Sequence, residues 1–153
     1  MTEKVEHRVG VQAPASVIWE IISDVAAWPQ WSGIYPRAAG KIGFHEKLSL
    51  TLALPGAKPR ELTPVVFDWA PDEAIHWRTR YFRGFAWSVR FLEIEAMHDH
   101  GCVFNNGEIY GGLLEPEAFR PIKSALKAGY AAFGEALKER AERLWRERSG
   151  GAT

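Results

Sequence analysis

The chain has 153 residues, of which 46% are apolar, 12% aromatic and 25% charged, the make-up of one soluble globular domain and not of a disordered, fibrous or two-domain chain. Lysine plus arginine and aspartate plus glutamate both number 19, so no net field draws the protein to nucleic acid or to an anionic membrane. The single cysteine, Cys102, excludes an internal disulfide and any cysteine-built metal site within the chain, and reads as a small core residue.

The first eight residues, Met1 to Arg8, contain no apolar signal core, and no stretch is long and apolar enough to span a bilayer. A cytoplasmic protein without integral membrane association is expected. Val5, His7, Val9 and Val11 alternate with Lys4, Glu6 and Arg8, the period of a half-buried first strand. Pro14 stands where a helix can start, and Val17, Ile18, Ile21, Ile22 and Val25 then recur at helical spacing. Trp28 and Trp31, three apart around Pro29, suit a second short helix or turn that Gly33 ends.

From residue 36 to residue 115 the punctuation is that of sheet: Gly40, Gly43, Pro55-Gly56, Pro64, Pro71-Asp72, Gly84 and His98-Asp99-His100-Gly101. The runs between these marks, 37–43, 46–54, 61–69, 74–82, 85–97 and 102–114, are rich in Trp, Phe, Tyr, Val, Ile and Thr. With the first strand they make seven. Their connections fall short of the roughly dozen residues a parallel crossover needs, so the strands pair antiparallel. Pro116 opens the last element, in which Phe119, Ile122, Leu126, Tyr130, Phe133, Leu137, Ala141 and Leu144 follow at steps of three or four. The spacing predicts one helix of roughly 30 residues and about 45 Å, with Glu139–Arg143 and Glu142–Arg146 as outward pairs. Residues 149–153 are expected to form a flexible tail, leaving 1–148 as a single domain.

This order gives an α+β helix-grip fold: a curved seven-stranded antiparallel sheet wrapped around a long C-terminal helix, with two short helices after the first strand. The segment Val11-Gln-Ala-Pro-Ala-Ser-Val-Ile-Trp19, with Ile22-Ser-Asp24 and Trp28-Pro-Gln-Trp31, resembles the N-terminal signature of the START-like SRPBCC superfamily, in particular its small bacterial polyketide cyclase/dehydrase-like members. Phe104-Asn-Asn-Gly-Glu-Ile-Tyr-Gly-Gly-Leu-Leu114, Tyr130 and Ala136 to Glu142 are similar to that family's last strand and closing helix. The resemblance covers nearly the whole chain and implies a cavity between sheet and helix. It specifies fold better than task, because such folds carry many unrelated functions. Arg90 departs from the pattern, standing near the place where many relatives carry a histidine, which puts any chemistry that uses that histidine in doubt.

With His98-Asp99-His100 as the hairpin turn, residue numbers across the last two strands sum to about 198, which sets Arg90 opposite Glu108. Ser88, Leu92 and Ile94 share that face with Phe104, Asn106 and Tyr110, and the resemblance favours it as the cavity side. An Arg90–Glu108 pair could orient a polar group of a ligand there, or serve as an ordinary cross-strand pair. Glu108 is also a candidate general acid or base if burial raises its pKa, although the adjacent arginine pushes the other way. Seven tryptophans are many for this length, and Trp31, Trp69 and Trp77 fall where a cavity wall is plausible, though core filling accounts for each separately. The helix would close the pocket with Phe119, Ile122, Leu126, Tyr130 and Phe133. His98 and His100 read as a solvated turn without a metal, and His76, Arg78 and Arg80 as a solvent face.

The expected function is binding of a small hydrophobic molecule, lipid-, polyketide- or aromatic-like, between sheet and helix, with no cofactor and in a monomer or homodimer. The alternatives are a polyketide aromatase/cyclase or hydro-lyase using Glu108, Arg90 and Tyr110, and a protein-partner module using the convex face around Trp87 and Phe91.

Overall fold

The computed structural model describes residues 2–150. Strand β1 (Thr2–Val11) leads through Pro14 into helix α1 (Ala15–Ser23), whose Val17, Ile18, Ile21 and Ile22 are buried at the spacing the sequence shows. Pro14 holds the extended backbone that precedes a first helical turn. A 3₁₀ helix follows at Val25–Gln30. It buries Trp28 completely, and the indole N–H donates to Ile22 O at 3.1 Å.

Eight strands form two antiparallel sheets among the described residues. Strands β2 (Arg37–Ala39), β3 (Ser49–Leu52) and β4 (Arg60–Leu62) make the smaller sheet in that order. The larger has the order β1-β8-β7-β6-β5, with β5 at Val65–Ala70, β6 at Ala74–Tyr81, β7 at Ala86–His98 and β8 at Gly101–Gly111. The expected run 61–69 is thus two strands, broken around Pro64, which has no N–H to give a ladder. Pro64 still accepts a hydrogen bond from Leu48 N at 2.9 Å, and a bridge between Lys47 and Val65 stitches the two sheets together. The last strand stops at Gly111 instead of 114 because Gly112 turns the chain at φ 104°. Cys102 is buried in β8 with its thiol toward Ala13 O.

The C-terminal element is likewise two helices, α2 (Glu115–Phe119) and α3 (Lys123–Gly150), separated by a 3₁₀ turn at Arg120–Ile122. Pro121 is the cause, since its ring and missing N–H end α2. Helix α3 includes Ser149 and Gly150, and residues 151–153 of the expected tail lie outside the described residues. Its buried stripe, Leu126, Tyr130, Phe133, Leu137 and Ala141, is the one the spacing predicts. Glu142 pairs with Lys138 at 2.7 Å and accepts from Gln12 N, while Arg148 grips Glu20 of α1 with two nitrogens. Gly134 lets α3 approach β1, for a Cβ there would lie 2.5 Å from His7 Nδ1. No helix among the described residues is long and apolar enough to cross a membrane.

Gly107 is the tightest point of the sheet. A Cβ there would overlap the Val5 carbonyl and lie 2.8 Å from both Glu6 Cα and the Phe91 ring. Gly107→Ala must push β1 off β8, at a cost of about 3 kcal/mol or more. Gly33→Ala, with open space around it, should change stability by less than about 0.5 kcal/mol. Urea melts of the two variants decide, and equal midpoints would refute the close-approach argument.

Candidate functional site

Arg90 pairs with Glu108 across β7 and β8, in the register expected from the hairpin. The alternation of the two strands sends Ser88, Arg90, Leu92 and Ile94 to the same side as Phe104, Asn106, Glu108 and Tyr110, and all eight are buried. This side faces α3.

The two charged side chains do not form an ion pair among the described residues. Arg90, only 2% exposed, donates from Nε to Tyr35 Oη at 3.1 Å and from Nη1 to Phe91 O at 3.1 Å and Gly107 O at 3.0 Å. Those acceptors draw the guanidinium away from Glu108. Aromatic rings surround it: Tyr130 at 3.9 Å, Phe133 at 5.1 Å and Trp77 at 5.7 Å from its central carbon. Such cation–π contacts are strongest where water is excluded. Nη2 is buried with no partner among protein atoms.

Glu108 accepts from Tyr130 Oη at 2.9 Å. Burial raises its carboxyl above the ordinary value, opposed by the Ser88 and Tyr130 hydroxyls and the charge of Arg90. Burial, reinforced by the Glu108 charge, also lifts the Tyr130 phenol well above its ordinary range. Asn106 Nδ2 donates to Tyr130 O at 3.1 Å and so pins the helix at this residue, while its Oδ1 has no partner. The interior therefore holds a guanidinium with a spare N–H, a carboxyl whose pKa burial raises, and a phenol bonded to that carboxyl, all among aromatic rings. Such a set can bind and polarise a carbonyl, hydroxyl or oxyanion.

The expected residues sort into three places. Trp77, Arg90, Leu92, Phe104, Asn106, Glu108, Tyr130 and Phe133 share the interior, joined by Trp31, whose ring lies 5.0 Å from Phe133. Tyr110 meets Phe119 at a tilt, 4.6 Å between ring centres, near one end of the sheet, where Tyr81 meets Phe119 at 5.3 Å; Leu126 is buried on α3, and Ile122 is half-buried on the turn before it. Trp69 joins neither group. A bulge between Val66 and Asp68 keeps it level with Ile75, and it stacks on Trp19 of α1 and meets Phe44 at a tilt. Tyr35 and Trp28 were not expected as site residues, yet both stand in the cage, Trp28 5.2 Å from Tyr35 and 5.6 Å from Trp77. Their signal was the aromatic spacing Trp28, Trp31, Tyr35, at three and then four residues.

These rings fill the space where the cavity was expected. Grooves of about 500 and 470 Å³ lie instead beside Arg78 and Arg80, and one of about 560 Å³ borders the smaller sheet at Arg37 and Glu61. On the convex face Trp87 is half-buried and Lys4 covers Phe91, with the ammonium 5.5 Å from the ring centre. His76 sits there between Asp68 and Glu93, at 3.6 and 3.1 Å. No cluster of three or more His, Cys, Asp or Glu suited to a metal occurs among the described residues.

The Glu108 carboxyl has a consequence for stability. Because its folded-state pKa lies above the ordinary 4.5, the folded chain retains a proton that the unfolded chain releases, and stability is lost as pH rises from 4.5 through the raised value. Glu108→Gln should flatten the stability–pH profile above pH 4.5. Denaturant midpoints measured across pH decide the matter; parallel profiles for the two proteins would rule out a buried, proton-retaining Glu108.

No curated protein matches the sequence closely enough to count as a relative. Among solved structures, the chain is similar to the Zhui aromatase/cyclase from Streptomyces sp. R1128, with a TM-score of 0.79 and 18% identity over 99% of each chain. It is similar to norcoclaurine synthase from Thalictrum flavum, with a TM-score of 0.72 and 17% identity over 94% of this chain and 96% of that one. A START superfamily protein from Mycobacterium smegmatis gives a TM-score of 0.69 and 19% identity over 92% and 98% of the two chains. At these identities the likeness is one of fold. The family model for polyketide cyclase/dehydrase and lipid transport matches residues 2–142, nearly the whole chain, and so the chain belongs to that family.

Proposed function

We propose that the protein binds a small, largely apolar molecule carrying a hydroxyl, carbonyl or oxyanion, held between α3 and the larger sheet with its polar atom on Arg90. The observation that carries this reading is the buried guanidinium with an unpartnered Nη2 inside a shell of aromatic rings. A buried donor left unsatisfied is costly, and a ligand oxygen would relieve that cost. The rings that fill the interior would be the first to yield: Trp31 is only partly buried and, with Tyr35, belongs to the segment between the 3₁₀ helix and β2. Their displacement would exchange ring–ring contacts for ring–ligand contacts of similar kind.

A second reading has its own support in Glu108. A buried carboxyl with a raised pKa, bonded to a phenol and facing an arginine, suits proton transfer at a carbon next to a carbonyl, with Arg90 steadying the enolate oxygen. That would make the protein a cyclase or dehydratase acting on a poly-β-ketone, Glu108 taking and returning the proton.

Binding is tested with 1-naphthol and naphthalene, followed by quenching of tryptophan fluorescence. A hydrogen bond to a charged donor is worth about 1.5–3 kcal/mol, so the wild type should prefer the naphthol roughly ten- to a hundredfold. Arg90→Lys, which loses the planar fork, should lower that preference to about threefold or less. Equal affinity for the two probes in the wild type, or binding of neither, would overturn the assignment. For catalysis, Glu108→Gln should slow turnover of a linear poly-β-ketone by about a hundredfold or more while leaving its Kd within about threefold. Turnover in the variant equal to that of the wild type would remove Glu108 from the chemistry.

A further inference from the structure

Phe82, Phe85 and Leu113 are exposed by 55%, 54% and 79%, although each is large and apolar. They stand on two neighbouring loops at one end of the larger sheet, 82–85 between β6 and β7 and 112–114 between β8 and α2. Leu114 N donates to Phe85 O at 2.8 Å, and Gly112 lets the loops touch, since a Cβ there would lie 2.9 Å from Ala86 Cα. Phe82 and Arg83 adopt φ of 50° and 56°, a left-handed backbone that non-glycine residues rarely take. The loop thus accepts strain while holding a phenylalanine in water. Backbone of this kind is costly and persists only where the surrounding structure holds it.

Arginines gather at the same end. Arg83 lies between the two phenylalanines, and Arg78 and Arg80 line a groove of about 500 Å³ that reaches Gly84 and Trp87. Arg60 sits over the ring of Tyr81, next to Phe82. None of the four forms an ion pair among the described residues. On the adjoining α2, Glu115 is buried and Glu117 is exposed. The chain is neutral as a whole; at this end the arginines stand beside Phe82 and Phe85, while Glu3 and Glu115 gather around Tyr110 together with Arg120 and Lys123.

We propose that this tip docks on the surface of an anionic lipid bilayer, with Phe82, Phe85 and Leu113 entering the interfacial layer and the arginines meeting lipid phosphates. Apolar side chains backed by arginines match the two layers of such a surface, phosphate outside and acyl chain roughly 5–10 Å below. A bilayer fits better than a protein partner, because three side chains on two loops offer far less than the about 800 Å² per side of a stable protein interface. The proposal stands apart from the interior site and does not depend on it.

The test is flotation of the full chain with vesicles of phosphatidylcholine alone and with about 30% phosphatidylglycerol. The wild type should float with the anionic vesicles, several-fold less so when salt is raised. The triple variant Phe82→Ser, Phe85→Ser, Leu113→Ser should lose this binding by about tenfold or more, and Arg80→Gln with Arg83→Gln should lose the preference for anionic lipid. Thermal melts establish that the variants are folded; should the triple variant unfold, Leu113→Ser alone is read, with a several-fold loss expected. Failure of the wild type to float at low salt, or flotation of folded variants equal to the wild type, would overturn the proposal. So would a wild type that ignores vesicles but self-associates through residues 82–85, which would make the tip a contact between copies.

Discussion

The guanidinium of Arg90 lies inside this protein, and the neighbouring elements are arranged to accommodate it. Bringing an ion out of water costs several kcal/mol even after relaxation. At Arg90 that cost is offset by three hydrogen-bond acceptors and by the faces of Tyr130, Phe133 and Trp77. The partners come from the loop before β2, from β6, from β7 and β8, and from α3. One side chain therefore couples both layers of the fold, and a shift of any of these elements exposes or strands a charge.

The seating of α3 follows the same logic. Asn106 reaches from β8 to the carbonyl of Tyr130, and the phenol of that tyrosine reaches back to Glu108 on the same strand. Gly129 and Gly134 remove the side chains that would hold the helix away. The break at Pro121 separates α2 from the long helix, and Phe119 of α2 packs against Tyr81 and Tyr110. The result is a polar network that holds Tyr130 by both its carbonyl and its hydroxyl and is enclosed by rings.

The interior and the tip at residues 82–85 are neighbours in the fold. Tyr81 precedes Phe82 in the chain, packs on Phe119 and lies beneath Arg60. Tyr110, with its hydroxyl buried and unpartnered, sits in the same ring cluster.

The alternation of β7 and β8, together with the turn at His98 to Gly101, determined from sequence alone that Arg90 and Glu108 face each other and share a side with Asn106 and Tyr110. The three- and four-residue steps likewise determined the stripe of α3. Periodicity reports the face a residue occupies, and both facts concern faces. The breaks at Pro64 and Pro121 were visible as prolines, but whether a strand or helix resumes beyond one depends on what packs there. That Arg90 turns to Tyr35 and two carbonyls, that Trp69 leaves the site for Trp19, and that rings fill the expected cavity were decided only by the tertiary structure. Those outcomes depend on competition among acceptors and on the summed volumes of side chains from distant segments, and no local pattern carries either.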